Sequence, residues 1–517
     1  MWAACIIVVT LLCVVQALVL WQHLDRPGLY YDEIIFVSAA VGGVTDQFVS
    51  LRVWGVPMML MPYIGALKAW VWSPIFAIWD VDSSSVRIPA IIIGLSGTLL
   101  TSLAMGVWFG RVAAVITALA VCFDPTIGLQ SRLDWGPNAL MFFFRGGFLL
   151  SVAWATTGCP RRGMLGMLAC AAAGCFDKLS FLWIALPALI TFATLERDLL
   201  RCLLREHRTA LLAWGTAIGL VVGASLALAL VVRLEASPTP LTGRPLEAAR
   251  LLWAALAGDG ALRFIYFGQE GRHDVQVVGR VGALLLASAL GLGASRAATA
   301  GWMRAWHWLA ACVPLVLLMF VGTRAATGPH HAAVIAGLWQ LPLIPPIAAA
   351  ITRARVTKRW GIAATQCALV GVVAATSLGM TWQRVAALTK PPVNPNWDRA
   401  NWQLGQYVAS STQGSVIFTD WGMANQAIAA IRGRSGRLSD SWPRFRSADS
   451  ASGEIRLAEP SALFCLRMPG FETMRGNRGR FLDAAAAHGL VPGRVRAFTN
   501  ESGDEMIELV RLVPVAR

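Results

Sequence analysis

The sequence predicts a polytopic α-helical membrane protein that ends in a small α/β domain. Of the 517 residues, 56% are hydrophobic and only 14% are charged, and a soluble domain could not bury so much apolar surface. The apolar residues fall into runs of about 20, the length that an α-helix needs to cross a bilayer. Past residue 380 these runs give way to short predicted strands and helices between turn-forming residues.

Eleven membrane spans are predicted from the apolar runs. The first run has no basic residues before it and no small-residue cleavage site, so it is predicted to be a retained span and not a cleaved signal peptide. The run at 163–176 is short, and a half-span is an alternative there. The predicted spans lie near residues 3–21, 88–108, 112–128, 137–156, 163–176, 179–195, 209–232, 277–294, 305–321, 332–351 and 361–380.

Many of the arginines lie in short loops between the apolar runs. A formal net charge of +15 could indicate nucleic-acid binding, but basic loops beside spans are what the positive-inside rule expects, so no nucleic-acid partner is predicted. The basic loops at 161–162, 196–208, 294–304 and 352–360 are therefore placed in the cytoplasm. We expect a multi-pass protein of the inner (cell) membrane, with a cytoplasmic N-terminus and an external, periplasmic C-terminal domain.

The membrane domain is predicted at residues 1–380 and carries a long first external loop, 22–87. Within this loop, VWGVPMMLMPYIGALKAWVW has aromatic and aliphatic residues near helical spacing, interrupted by Pro57 and Pro62. Such a pattern predicts interfacial helices that lie flat on the bilayer. The Trp and Tyr residues of the stretch suit the headgroup region.

The tail, residues 381–517, alternates predicted strands and helices, as a small α/β domain does. Strands are predicted at GSVIFTD, SALFCLR, RVRAFTN and MIELVRLV, and helices at MANQAIAAIRG, closed by Gly433, and at FLDAAAAHGL. The tail contains no dinucleotide-binding glycine fingerprint, no zinc-ligand spacing and no nucleophile elbow. Cys465 is its one cysteine, so no disulfide is predicted in it.

Three carboxylates are candidate catalytic residues. Asp32 and Glu33 lie in LYYDEIIFVSAA, at the membrane–water boundary after the first span. A carboxylate that is partly desolvated there could act as general base toward a hydroxyl or amine, while a solvated loop pair is the alternative. Asp134, in SRLDWGPNALMFFF, could be a second acid that positions an acceptor or a metal. Its alternative is a carboxylate that interacts with a helix N-terminus.

Several cations at span ends are candidate phosphate ligands. A lipid-phosphate substrate would need such a clamp, while snorkelling to the membrane surface is the ordinary explanation. Adjacent histidines point about 100° apart on a helix, so they form a poor metal-ligand pair, although one could donate to a phosphate or supply a single ligand. The candidates are Arg87, Lys68, Lys178, His330 and His331, and Arg132 could instead neutralise Asp134.

These motifs, in this order, resemble the GT-C superfamily of polytopic glycosyltransferases. The superfamily includes protein O-mannosyltransferases and the bacterial aminoarabinose transferase that acts on lipid A. The resemblance covers roughly residues 1–350. It rests on Asp32 and Glu33 after the first span, Arg87 and Pro89 at the entry to the second, Ser131, Arg132 and Asp134 before a later span, and Lys178 before the span that contains Pro187.

The resemblance implies a glycosyltransferase that moves a sugar from a polyprenyl-phosphate donor to an acceptor on the external face, with inversion. It makes Asp32 the base, Glu33 a supporting residue and Asp134 a second acid in the cavity. The leaving lipid phosphate would be stabilised by some of the cations named above. The aminoarabinose transferase has an acid-Lys-Pro-Pro motif in its first loop, where this chain reads MPYIGALKAW, so the phosphate ligands and metal binding are left open.

The implied partners are a polyprenyl-phosphate sugar, membrane lipids, and an acceptor that is a glycan, a lipid or a protein. No cofactor is firmly implied, and a divalent metal is possible. A lipid or glycan transporter (flippase) is an alternative function. Charged residues in the middle of spans and an inverted internal repeat would favour it, and the sequence displays neither feature. A non-catalytic membrane scaffold is a further alternative.

Overall fold

The structure is a computed structural model. It describes residues 2–41, 51–61, 63–206, 244–267, 274–296, 298–322, 331–411, 414–432 and 438–515, with scattered residues between 208 and 223. Helices dominate up to residue 387. In chain order they are α1 (Trp2–Leu20), α2 (Tyr31–Ala40), α3 (Leu67–Ile78), α4 (Ser83–Phe109), α5 (Arg111–Thr117), α6 (Pro125–Leu133), α7 (Asn138–Thr156), α8 (Pro160–Asp177), α9 (Leu182–Leu195), α10 (Arg197–Glu206), α11 (Arg244–Ala257), α12 (Gly260–Ile265), α13 (Asp274–Ser295), α14 (Ala300–Gly322), α15 (Ile344–Val356) and α16 (Trp360–Ala387).

The predicted membrane protein is confirmed: within the described ranges, seven helices are long and apolar enough to cross a bilayer. An eighth crossing is counted if Arg111–Cys122 and Pro125–Leu133, bent by 62°, form one span. The predicted runs at 163–176 and 179–195 are helical as well, whereas 209–232 lies largely outside the described residues. The total of eleven spans stays a prediction. The seven helices are Trp2–Leu20, Ser83–Phe109, Asn138–Thr156, Val275–Ser295, Ala300–Gly322, His331–Val356 and Trp360–Ala387.

The first long loop contains a small antiparallel sheet, of strands β1 (Leu51–Val53), β2 (Val56–Met61) and β3 (Ile64–Gly65). Trp54 and Gly55 both have positive φ, +49° and +80°, as a two-residue hairpin turn of type I′ requires. The helical prediction for this stretch is therefore wrong before Leu67, where α3 begins. Prolines at 57 and 62 remove helix hydrogen-bond donors, which favours the strands over a helix.

The C-terminal region forms a five-stranded sheet flanked by helices. Strand order is β5-β4-β6-β8-β7, with β5, β4 and β6 parallel and β8 antiparallel to both of its neighbours. The predicted strands and helices are confirmed, although Gly433 lies outside the described residues. The elements are α17 (Ala400–Ser411), β4 (Val416–Phe418), α18 (Ala424–Ile431), β5 (Leu438–Asp440), α19 (Ala448–Leu457), β6 (Leu463–Arg467), α20 (Asn477–Ala487), β7 (Leu490–Thr499) and β8 (Glu505–Pro514).

Helix α18 and the turn after β4 pack directly on the segment that carries the acidic pair. Ser38 of α2 donates to the Asn425 carbonyl at 3.1 Å, and Gln426 donates to the Leu29 carbonyl at 3.1 Å. The ring of Tyr31 lies 4.6 Å from that of Trp421. The contacts run from Leu29, before α2, to Ser38 in its last turn, so the C-terminal domain covers one side of α2.

Candidate active site

Asp32 lies in the first turn of α2 and lines a small cavity of about 40 Å³. Acidic residues in a first turn are stabilised by the positive end of the helix dipole, which explains locally why the D-E pair starts this helix. The Trp135 indole N–H donates to one carboxylate oxygen of Asp32 at 2.7 Å. The cavity is lined by Asp32, Ile35, Phe36, Leu60, Met61, Tyr63, Ile64, Gly136 and Lys178.

Lys178 faces Asp32 from the turn between α8 and α9, and the loop sheet holds it there. Its backbone pairs with Ile64 in an antiparallel bridge, and the next amide donates to the Tyr63 carbonyl at 2.9 Å. Gly65 makes this contact possible, because a Cβ there would collide with the Phe176 carbonyl oxygen. On the cavity side, a Cβ at Gly136, whose φ is +74°, would lie 3.2 Å from the Lys178 ammonium.

The electrostatics of the cavity suit one base and one cation. Burial raises the pKa of Asp32 above its usual value, against the Trp135 hydrogen bond and the charges of Lys178 and Lys68, which lower it. Burial lowers the pKa of Lys178 to about 8, opposed by nearby carboxylates. Among the described residues the Lys178 ammonium has no hydrogen-bond partner. An ammonium that is still mostly charged at neutral pH is therefore available to a ligand.

Lys68 and Asp134 form a buried ion pair with each other, and neither lines the cavity. Their charged atoms lie 2.6 Å apart, and their side chains are 0% and 1% exposed. The other Asp134 oxygen accepts from the Ala139 amide at 2.8 Å, which matches the alternative of a carboxylate at a helix N-terminus. The Lys68 ammonium also lies over the Phe36 ring, 4.7 Å from its centroid. The pair therefore supports the packing behind Asp32.

Glu33 and Arg87 form a second buried pair, in which both side chains are 0% exposed. Two carboxylate oxygens accept from the Arg87 guanidinium, each at 2.9 Å. Glu33 also accepts from the Tyr30 amide at 2.9 Å, the reach-back half of a capping box. The remaining Arg87 N–H groups donate to the carbonyls of Leu24, Pro27 and Gly28. With all five donors engaged, this geometry gives no support to Arg87 as a phosphate ligand.

Arg132 is fully buried and binds backbone, not a ligand or Asp134. Its two terminal nitrogens donate to the carbonyls of Leu20, Gln22, His23 and Arg26 at 2.5 to 3.3 Å. Together with Arg87 it satisfies most of the carbonyls between α1 and α2. The two arginines therefore fix the path of the chain that leads into Asp32.

Of the two histidines, His331 is described by the structure and does not line the cavity. His330 lies outside the described residues. His331 begins a short 3₁₀ helix, His331–Ile335, and is 8% exposed. Its ring lies 6.3 Å from that of Trp183, so it packs beside the site and does not line it.

Four residues near the site were not predicted as site residues. Tyr63 and Gly136 line the cavity, and Trp135 binds Asp32. Asp177, next to Lys178, is 0% exposed and neither of its carboxylate oxygens has a hydrogen-bond partner among the residues that the structure describes. Trp135 and Gly136 directly follow the predicted site residue Asp134 in the sequence, and this adjacency could have identified both. Tyr63 gave no such signal, because its stretch was predicted to be helical.

A metal ion has no evident ligand set in the part of the chain with defined positions. No three His, Cys, Asp or Glu side chains come together there. Asp32 accepts from an indole N–H and Asp134 is paired with an ammonium, so each acid already has a hydrogen-bond donor of its own. The side chains that the structure describes at this site therefore do not fit a metal ion.

The fold is shared with two solved membrane proteins. No protein-family model matches the sequence, and no curated protein matches it. ArnT from Cupriavidus metallidurans in the apo state is 13% identical, with a TM-score of 0.57 and coverage of 97% of both chains. The Archaeoglobus fulgidus oligosaccharyltransferase, in complex with Zn and sulfate, is 12% identical, with a TM-score of 0.52, covering 96% of this chain and 72% of its own. Both are GT-C superfamily members, and this chain has the GT-C fold that its sequence predicted.

Proposed function

We propose that the protein is a membrane glycosyltransferase that moves a sugar from a polyprenyl-phosphate donor to an acceptor. The observation that carries this proposal is the cavity in which the carboxylate of Asp32 and the ammonium of Lys178 meet. A carboxylate whose pKa is raised by burial suits a general base. A cation beside it suits a leaving group that gains negative charge.

In the proposed step, Asp32 takes the proton of an acceptor hydroxyl or amine. The acceptor atom attacks the anomeric carbon of the sugar while the bond from that carbon to the phosphate oxygen breaks, with inversion. The electron pair of the broken bond stays on the polyprenyl phosphate, whose charge Lys178 stabilises. Lys68, Asp134, Glu33, Arg87 and Arg132 hold the surrounding backbone and contact neither substrate.

An apolar cavity supports a donor with a long hydrocarbon chain. It has a volume of about 350 Å³ and lies between α9, which closely follows Lys178 in the chain, and α14. Side chains without charges or hydrogen-bonding groups suit a prenyl chain, for which contact with hydrocarbon replaces contact with lipid. The cavity is lined by Leu186, Pro187, Ile190, Leu315, Leu318, Met319 and Gly322.

The solved structures of the same fold support the reaction class by their names. One is ArnT, a lipid A aminoarabinose transferase, and the other is an oligosaccharyltransferase. The basic loops of the sequence support an orientation in which Asp32 and the C-terminal domain face the external side of the inner membrane. The acceptor is a glycan, a lipid or a protein.

The proposal is tested by the variant Asp32→Asn in purified protein given a polyprenyl-phosphate sugar and candidate acceptors. We expect transfer to be abolished while the apparent unfolding temperature is unchanged, because the amide keeps the shape of the carboxylate and removes the base. Asp25→Asn is the matched control, since Asp25 lies in the same loop and its side chain is 56% exposed. Full transfer by Asp32→Asn would remove Asp32 from the role of base.

A further inference from the structure

Among the residues that the structure describes, Tyr63 is the one tyrosine that lines the cavity of Asp32 and Lys178. It lies in the loop sheet between β2 and β3 and is half-buried. The other tyrosines near α2 have their rings packed elsewhere: Tyr30 stacks on Trp397 with centroids 4.3 Å apart, and Tyr31 lies 4.6 Å from Trp421. Tyr63 is therefore the phenol best placed to meet a ligand of this cavity.

The backbone fixes Tyr63 beside Lys178. Its carbonyl accepts from the Leu179 amide at 2.9 Å, and the neighbouring Ile64 pairs with Lys178 itself. Two adjacent backbone links across the same pair of chain segments leave little freedom to separate the two residues. The phenol and the ammonium are consequently presented to the cavity by one small, rigid unit.

The hydroxyl of Tyr63 is available as a donor. Within the described ranges of the chain its side chain makes no hydrogen bond, although it is only partly exposed. Burial raises the pKa of Tyr63, and the negative charge of Asp32 raises it further. The phenol therefore remains protonated at neutral pH.

We propose that Tyr63 contacts the donor in the reaction proposed above, its phenol O–H donating a hydrogen bond to a phosphate oxygen beside Lys178. This inference rests on the proposed function, because it takes polyprenyl phosphate as the leaving group. A phosphate oxyanion needs several donors as its charge grows. Arg87 is occupied by Glu33 and three backbone carbonyls, and Arg132 by four backbone carbonyls. Tyr63 gives a neutral donor next to the ammonium and keeps its proton through the step.

Tyr63→Phe tests the proposal because it deletes the hydroxyl and keeps the ring. The measurement is binding of a short-chain polyprenyl phosphate, and of the matching polyprenol without phosphate, to the purified full chain in lipid nanodiscs. A hydrogen bond to a charged group changes affinity roughly 10- to 150-fold, which corresponds to about 1.5–3 kcal/mol. We expect Tyr63→Phe to weaken polyprenyl phosphate binding by that factor and to leave polyprenol binding unchanged.

Tyr407→Phe is the matched control. Tyr407 lies in α17 of the C-terminal domain, where its ring is 4.6 Å from the Arg496 guanidinium, and its replacement should change neither affinity. An equal loss for polyprenol and polyprenyl phosphate in Tyr63→Phe would assign the tyrosine to packing and overturn the inference. So would unchanged affinity for both lipids in that variant.

The same experiment separates this inference from the proposed function. A wild-type protein that prefers polyprenyl phosphate to polyprenol supports the proposed donor, whatever Tyr63→Phe does. A wild-type protein without that preference contradicts the proposed donor and the role of Tyr63 together. With the preference present, kcat/KM for the donor should fall in Tyr63→Phe while KM for the acceptor stays constant, a split that a packing defect would not produce.

Discussion

Replacing Glu33 by Gln should destabilise the protein strongly, because it leaves the buried Arg87 without a counter-charge. The guanidinium makes two 2.9 Å hydrogen bonds to Glu33, and both side chains are 0% exposed. A glutamine side chain at this position can accept only one of these bonds, and its amide N–H₂ would oppose the second. The Tyr30 amide, which also donates to Glu33, would lose a charged acceptor at the start of α2.

The size of the effect follows from the burial. Removing one partner of a buried ion pair costs about 3–5 kcal/mol, whereas a surface pair contributes about 0–1 kcal/mol. At about 2 °C per kcal/mol, the lower end of the range for larger domains, the apparent Tm should fall by roughly 6–10 °C. Transfer should decline as well, since the first turn of α2 places Asp32.

Thermal unfolding of the detergent-solubilised protein, followed by tryptophan fluorescence, measures this loss. Glu505→Gln is the matched control, because the Arg494–Glu505 pair has a similar 2.8 Å contact but both side chains are 45% exposed. Its apparent Tm should stay within about 2 °C of the wild-type value. A Glu33→Gln protein that unfolds at the wild-type temperature yet transfers no sugar would refute the structural role and give Glu33 a direct part in the chemistry.

Three further predictions follow from the charges of the site and of the C-terminal domain. Because the Lys178 ammonium is charged below its pKa of about 8, kcat/KM should fall as pH rises through 8. Lys178→Arg should move this limb of the pH–rate profile to higher pH. Identical profiles for the variant and the wild type would exclude Lys178 as the titrating group. Asp134→Asn should lower the free energy of unfolding by about 3–5 kcal/mol, because it leaves the buried Lys68 unpaired. Adding Lys68→Met to this variant should restore part of the apparent Tm. A double variant whose loss equals the sum of the two single losses would argue against the pairing. Burial, with a contribution from the charge of Asp420, raises the pKa of Asp440 to about 7. The folded state therefore binds more protons than the unfolded state between pH 3.8 and about 7. The apparent Tm should consequently fall as pH rises through this window. Asp440→Asn should flatten that slope, and a slope that survives the substitution would mean that other groups cause it.

Much of the fold could be predicted from the sequence because its signals are local. A run of apolar residues indicates a span wherever it packs, and the strands at GSVIFTD and SALFCLR lie between turn-forming residues that bound them. The loop sheet was missed because its apolar residues also fit a helical period. The two positive-φ positions at Trp54 and Gly55 that decide the matter become visible only in the folded backbone.

The site was partly predictable for a related reason. A carboxylate at the rim of a span is visible in the sequence, and Asp32 does line the cavity together with Lys178. The partners of the other charges lie far away along the chain: Glu33 and Arg87 are 54 residues apart, and Lys68 and Asp134 are 66 apart. Composition near each residue indicates that a charge is present, but the three-dimensional packing decides whether it meets a ligand or another charge.

The most direct test of the central claim is the fate of the donor lipid when purified protein is given a polyprenyl-phosphate sugar and an acceptor. Mass spectrometry of the lipid and sugar products should find one polyprenyl phosphate released for each sugar transferred by the wild type, and neither product with Asp32→Asn. Intact donor recovered from the opposite leaflet of a vesicle, with no polyprenyl phosphate released, would contradict the account and identify a transporter.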